Sequence, residues 1–289
     1  MTRIIQSLDH VAADYDVLFC DLWGCLHNGK RAYPAAVAAL QRFRAGGGQV
    51  VLMTNAPRPA KFVARHLAHL QVPDDCWDLI VSSGDAAQDA MFSGAVGHEV
   101  WAIAPDKDDA FFTDRPAEWA EGAPIRKVAL EEAQGIVCTG PFDEDNEQAE
   151  DYRDRLTVAR DRGLKLLCAN PDIVVDMGDR RIICAGAIAQ LYEQMGGTSL
   201  YFGKPHAPIY DLARRRAGLG PDTRALAVGD GIDTDILGAM DQRIDSVFIT
   251  GGLAHDQFGA DVEAPEQALL DPWLKGRDRR PTYAIGRLR

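Results

Sequence analysis

Val17-Leu18-Phe19-Cys20-Asp21-Leu22-Trp23-Gly24 is the stretch whose reading decides the fold. Four apolar residues run into a carboxylate and then a glycine-containing loop. A short unbroken apolar run of this kind reads as a strand buried on both faces, as in a parallel sheet. Working outward, Tyr33–Ala45 has helical spacing with Pro34 at its start, and it stops at Gly46-Gly47-Gly48. Gln49–Met53 is a second strand ending at Thr54-Asn55, followed by a helix from about Pro59 to Leu70 and a third strand at Leu79–Val81. This alternation predicts an α/β fold, a Rossmann-like doubly wound parallel sheet with right-handed crossovers. The same grammar returns late. Ser199–Phe202, Ala225–Val228 and Ser246–Ile249 read as strands, and Ala207–Ala217 and about Thr234 to Met240 as helices.

Between these halves lies a stretch of different character. Strand-like runs occur at Glu99–Ile103, Gly135–Cys138 and Lys165–Cys168, with a polar helix around Asn146–Arg162 and another around Ala185–Met195. A structureless insertion of that length is improbable in a compact protein, so the stretch reads as an inserted α/β domain. The predicted division is a core of residues 1–83 and 198–289 interrupted by a domain of residues 84–197.

Composition bounds the function. Of 289 residues, 46% are apolar and 26% charged, the proportions of a soluble globular protein with ample core. A net charge of -12 argues against nucleic acid and anionic membranes as partners. The basic run Lys275–Arg280 reads as a solvated tail. No apolar run approaches the roughly 20 residues of a membrane span, and the start has no signal-peptide core. The six cysteines are scattered without a C-x-x-C pair, which suits a reducing cytoplasm better than a disulfide or zinc framework.

Three polar clusters follow apolar runs: Asp21, Thr54-Asn55 and Gly229-Asp230. Ligands of open parallel sheets bind at the carboxyl ends of the strands. Asp21 and Asp230 would then face each other, and two carboxylates at close range need a cation or a proton between them. Mg2+ suits such a site, since it takes oxygen ligands and keeps room for water and substrate phosphate.

In order and spacing, the clusters resemble the four motifs of the haloacid dehalogenase superfamily. They are most similar to its subclass IIA, the NagD-like or nitrophenylphosphatase-like branch with a large C2-type cap. The matching residues are Asp21-Leu22-Trp23-Gly24-Cys25 with Gly29, Val50-Val51-Leu52-Met53-Thr54-Asn55, Phe202-Gly203-Lys204-Pro205, and Val228-Gly229-Asp230-Gly231-Ile232-Asp233-Thr234-Asp235-Ile236. Within the inserted domain, Ala169-Asn170-Pro171-Asp172 resembles the branch's A-x-N-P-D signature. The resemblance implies that Asp21 attacks phosphorus and carries an aspartyl-phosphate. It implies that Thr54 and nearby amides hold the phosphoryl oxygens, and that Lys204 neutralises charge. Asp230 and the Trp23 carbonyl would ligate magnesium beside Asp21, and Asp235 would hold a metal-bound water or orient Lys204. Asn55, Asn170 and Asp172 are placed in substrate binding. Each of these residues also has a plain structural reading: a helix cap for Thr54-Asn55, a first-turn acid for Asp235, and a turn for Asn170 and Asp172.

One position departs from the family pattern. Its phosphatases carry a second Asp two residues after the nucleophile, which protonates the leaving group. Here that position is Trp23. General acid–base catalysis is typically worth about 10²–10⁴-fold, and Trp cannot supply it. His27, in the same loop, is the candidate surrogate, set against the plainer reading of a loop histidine.

The expected function is therefore a Mg2+-dependent, cytoplasmic phosphatase acting on a small phosphorylated metabolite. Its alternatives are a weak or inactive relative that binds a phosphorylated ligand, and an enzyme cleaving a bond that needs no leaving-group acid. The resemblance also allows a homodimer formed through the cap.

Overall fold

The computed structural model describes residues 1–177 and 180–289. By internal contacts the chain divides into two compact units. The first comprises Met1–Thr54, Lys61–Val81 and Tyr210–Arg289, and the second Asn55–Ala60 and Ser82–Ile209.

The first unit is built on a seven-stranded sheet in the order Arg3–Ile4, Tyr283–Ile285, Asp245–Ile249, Ala225–Gly229, Val17–Cys20, Gln49–Thr54, Leu79–Ser82. Val17–Cys20 and Ala225–Gly229 are buried along their whole length, as their unbroken apolar sequences require. They pair in parallel, with Val17 opposite Ala225 and Cys20 opposite Val228. The next strands after Asp21, Gln49–Thr54 and Leu79–Ser82, lie on one side of this pair, and those after Asp230, Asp245–Ile249 and Tyr283–Ile285, on the other. The pair therefore marks the topological switch point, where doubly wound sheets bind ligands. Behind the later strands, Ile236, Phe248, Phe258, Leu270, Leu274 and Ala284 form an apolar cluster.

The second unit has a five-stranded sheet in the order Thr198–Tyr201, Lys165–Cys168, Gly135–Cys138, Glu99–Ile103, Arg126–Lys127, all pairs parallel. A separate antiparallel pair joins Val174–Met177 to Arg180–Ile183. Its core gathers Trp101, Ile136, Tyr152, Leu156, Ile188 and Tyr192, from strands and helices alike.

Several expectations change. The strand near residues 199–202, placed with the core, spans Thr198–Tyr201 and pairs with Lys165–Cys168 in the second sheet. Thr198–Tyr201 is a partly exposed edge strand of mixed sequence, and nothing in Thr-Ser-Leu-Tyr ties it to one sheet rather than the other. The polar helix expected from Asn146 begins later, as a 3-10 turn at Ala149–Tyr152 that continues as an α-helix at Arg153–Asp161. The basic run at 275–280 is not a tail. Arg277 lies 3.8 Å over the Trp273 ring, Arg279 pairs with Asp233, and the chain returns to form the strand Tyr283–Ile285.

Candidate active site

Asp21 emerges from Val17–Cys20 with its backbone N–H still donating to Val228 O at 2.8 Å. Asp230 emerges from the neighbouring strand Ala225–Gly229. Parallel register thus delivers two carboxylates to the same end of adjacent strands. Both are buried, at 8% and 5% exposure. A carboxylate oxygen of each, together with Cys25 Sγ, lies within 4.8 Å of the others.

The loop glycines make this approach possible. A Cβ on Gly24, whose φ is +76°, would fall 2.0 Å from Asp230 Oδ2, and one on Gly252 would fall 2.1 Å from the same atom. Asp230 Oδ2 also accepts the Leu253 N–H at 2.9 Å. Two buried acids so close fit a hard divalent cation, which removes their mutual repulsion. Cys25 fits less well as its ligand. Burial first, and then the two carboxylates, push its thiol well above the ordinary range, so it keeps its proton.

Asp235 is buried in a π-helical turn, Ile232–Ile236. Its Oδ2 accepts the Gly231 N–H at 3.1 Å and lies 3.4 Å from the Thr234 hydroxyl. It therefore braces the loop that carries Asp230. Gly229 is required here, since a Cβ would fall 2.1 Å from the Asp235 carboxyl carbon. Thr54 is half-buried at the carboxyl end of Gln49–Thr54.

Trp23 is 43% exposed, an unusual state for the largest side chain in a site loop. It is nonetheless held: its ring stands edge-on to His27 at 5.7 Å, and a Cβ on Gly29 would fall 2.1 Å from it. His27 does not have the chemistry expected of a surrogate acid. Its Nδ1 accepts the Gly29 N–H at 3.0 Å, and its ring meets His66 at 5.8 Å. Burial, helped by His66, lowers its pKa to about 4. At neutral pH it is an uncharged imidazole with Nδ1 held as an acceptor, a poor general acid.

The remaining expected residues belong to the second unit. Asn55, Lys204 and Asn170 are buried, and Asp172 is half-buried. Asn55 does not offer a free amide to a substrate. Its Nδ2 donates to Asp172 Oδ1 at 2.9 Å and to Lys204 O at 3.0 Å, and its Oδ1 accepts the Lys204 N–H at 2.7 Å. Asn170 Oδ1 accepts the Asp172 N–H at 3.0 Å, the turn that its sequence also allowed. Sequence reasoning missed Gly252 and Leu253, because Gly252 acts by lacking a side chain and Leu253 through its backbone N–H.

Comparison with known proteins places this arrangement. The pattern of the haloacid dehalogenase-like hydrolase family matches residues 18–115, and a second, HAD-hydrolase-like pattern matches residues 201–271. D-glycerol 3-phosphate phosphatase of Mycobacterium tuberculosis is 27% identical over 247 residues, covering 84% of this chain and 65% of that protein. This chain thus spans slightly under two thirds of that relative. A solved 4-nitrophenylphosphatase from Thermotoga maritima shares the fold at 18% identity, with a TM-score of 0.71 over 96% of this chain and 95% of the other. A haloacid dehalogenase-like hydrolase from Brucella suis 1330 is 37% identical, with a TM-score of 0.82 over 99% of this chain and 100% of that one. With its two buried aspartates at the switch point of the sheet, the chain belongs to the haloacid dehalogenase-like hydrolases.

Proposed function

We propose that the protein is a phosphatase that transfers the phosphoryl group of a small phosphorylated metabolite to water through Asp21. The observation that carries this reading is the buried Asp21–Asp230 pair on adjacent parallel strands. In the first step an Asp21 carboxylate oxygen attacks phosphorus while the bond to the leaving oxygen breaks, giving an aspartyl-phosphate. In the second, water attacks that phosphorus, releasing inorganic phosphate and restoring the Asp21 carboxylate. Thr54 is proposed to hold the phosphoryl oxygens, and Lys204, on its motif alone, to supply positive charge. Asp21, Asp230 and the Trp23 carbonyl would hold magnesium, which when bound offsets the negative charge that otherwise keeps a phosphate from the two carboxylates. Asp235 keeps Asp230 in place by bracing residues 229–235. Six buried cysteines, none of them in a disulfide among the described residues, suit a reducing compartment.

Trp23 narrows the substrate. With an indole at this position and His27 neutral, the leaving group departs as an anion. Substrates with a low leaving-group pKa, aryl or acyl phosphates, are therefore favoured over alkyl phosphates. The exposed indole face is proposed to pack against an apolar or aromatic leaving group.

The test is a steady-state comparison of 4-nitrophenyl phosphate with glycerol 3-phosphate, the kind of ester that the mycobacterial relative is named for. With magnesium, the aryl ester is expected to turn over faster, and Asp21→Asn to abolish turnover of both. Equal activity in Asp21→Asn would dismiss the nucleophile. A faster rate on glycerol 3-phosphate would dismiss the leaving-group argument but not the phosphatase.

A further inference from the structure

Asn55 follows Thr54 directly, yet its side chain belongs to a different structure. It reaches residue 204 across 149 positions of sequence and clasps its backbone from both sides. The amide oxygen takes the Lys204 N–H and an amide hydrogen gives to the Lys204 carbonyl. The second amide hydrogen goes to Asp172 Oδ1. Asp172 is itself fixed, because Asn170 Oδ1 takes its N–H. The clasp leaves no room beside it: a Cβ on Gly203 would fall 2.6 Å from Asn55 Oδ1 and 2.6 Å from the Pro171 ring. Asn55 and Lys204 are 6% and 3% exposed, so water cannot easily replace a lost bond.

We infer that Asn55 is a positioning residue for Lys204 rather than a phosphate ligand, with Asp172 setting the orientation of its amide. The inference rests on the proposed role of Lys204. The chemistry selects asparagine. Holding both an N–H and a C=O of one residue needs an acceptor and a donor on a short planar group, which Asp, Thr and Ala lack. Both amide hydrogens are already committed, so donation to a phosphoryl oxygen would require breaking one of these bonds. The C=O···H–N contact to Asp172 decides which way the amide faces, since an Asp carboxylate only accepts. A flipped amide would set its oxygen against that carboxylate and against the Lys204 carbonyl.

The test is a double-mutant cycle on the full chain with magnesium and 4-nitrophenyl phosphate, combined with hydrogen exchange of the peptide spanning residues 202–206. Asn55→Ala is expected to lower kcat/KM about 10- to 100-fold, the scale of misplacing a catalytic group by about 1 Å. In a Lys204→Met background the same change is expected to alter kcat/KM by less than about twofold, because the group it positions is gone. Exchange in the 202–206 peptide is expected to speed up in Asn55→Ala whether or not the enzyme is active. Asp172→Ala, a gentler change at a half-buried site, is expected to follow the same pattern. Asp172→Asn, whose carbonyl can still accept, is expected to stay within about threefold of the parent. Multiplicative effects of Asn55→Ala and Lys204→Met would make Asn55 an independent phosphate ligand and overturn the inference, as would unchanged exchange in Asn55→Ala. Full activity in Lys204→Met with accelerated exchange in Asn55→Ala would instead remove the proposed role of Lys204 and leave the clasp as architecture.

Discussion

Three glycine-to-alanine substitutions separate backbone strain from displacement of Asp230. Gly47 has φ of +91° and nothing within 4 Å of a built Cβ. Gly252 lies outside the left-handed region, but its Cβ would fall 2.1 Å from Asp230 Oδ2. Gly24 carries both features, with φ of +76° and a contact of 2.0 Å to the same oxygen. Holding alanine in the left-handed region costs about 1 kcal/mol. A non-bonded carbon–oxygen contact settles near about 3.4 Å, so the Asp230 carboxylate would have to retreat by more than about 1 Å. Gly47→Ala is therefore expected to lose about 1 kcal/mol of stability and no magnesium affinity. Gly252→Ala and Gly24→Ala are expected to weaken magnesium binding at least about tenfold, the lower range seen when the support of a metal ligand is disturbed. Of these two, only Gly24→Ala adds the strain of the backbone. Urea unfolding without metal and calorimetric titration with magnesium read the two effects apart. Wild-type magnesium affinity in both Gly24→Ala and Gly252→Ala would refute the claim that Asp230 needs this cradle.

Two more outcomes follow from the same loop. Trp23→Asp is expected to raise turnover of alkyl phosphates by about 10²-fold or more relative to aryl ones by restoring an acid, read as a flatter dependence of rate on leaving-group pKa; an unchanged slope would remove Trp23 from that role. His27 titrates at about 4 in the fold against 6.5 when exposed, a depressed value, so the unfolded chain takes up a proton first as pH falls. Its contribution, about 3 kcal/mol, is present above pH 6.5 and is lost on going down through about 4. Urea unfolding across that window is expected to show less slope in His27→Asn, which keeps an acceptor for Gly29 N–H but does not titrate; an identical slope would count against it.

Much of this site can be read from residues because burial writes itself into sequence. Val17–Cys20 and Ala225–Gly229 are apolar throughout because both faces are covered, and their ends are where chemistry collects. Other elements left weaker traces. The helix Ser83–Phe92 is rich in small residues, and its start is fixed by Ser82 and Asp85 capping each other, a signal only a few residues long. The short strands Arg3–Ile4 and Tyr283–Ile285 are recognisable only through each other, 279 positions apart in sequence where Thr2 bonds Pro281. The sequence offers Asn55 as a candidate site residue and not as a clasp, because its partners at 172 and 204 are brought to it by the fold alone. For His27 the sequence leaves a surrogate acid and a plain loop histidine both open, because nothing in its neighbours reveals that burial and His66 would hold it neutral. Trp23, by contrast, stands out only against the family pattern, which carries an Asp at that position.

The most direct test of the central claim is acid quenching during turnover of labelled 4-nitrophenyl phosphate with magnesium, followed by peptide mapping. The expected result is one labelled peptide, carrying the phosphoryl group on Asp21 as an acid-stable, base-labile acyl phosphate. Label on any other residue, or turnover persisting in Asp21→Asn, would contradict the account.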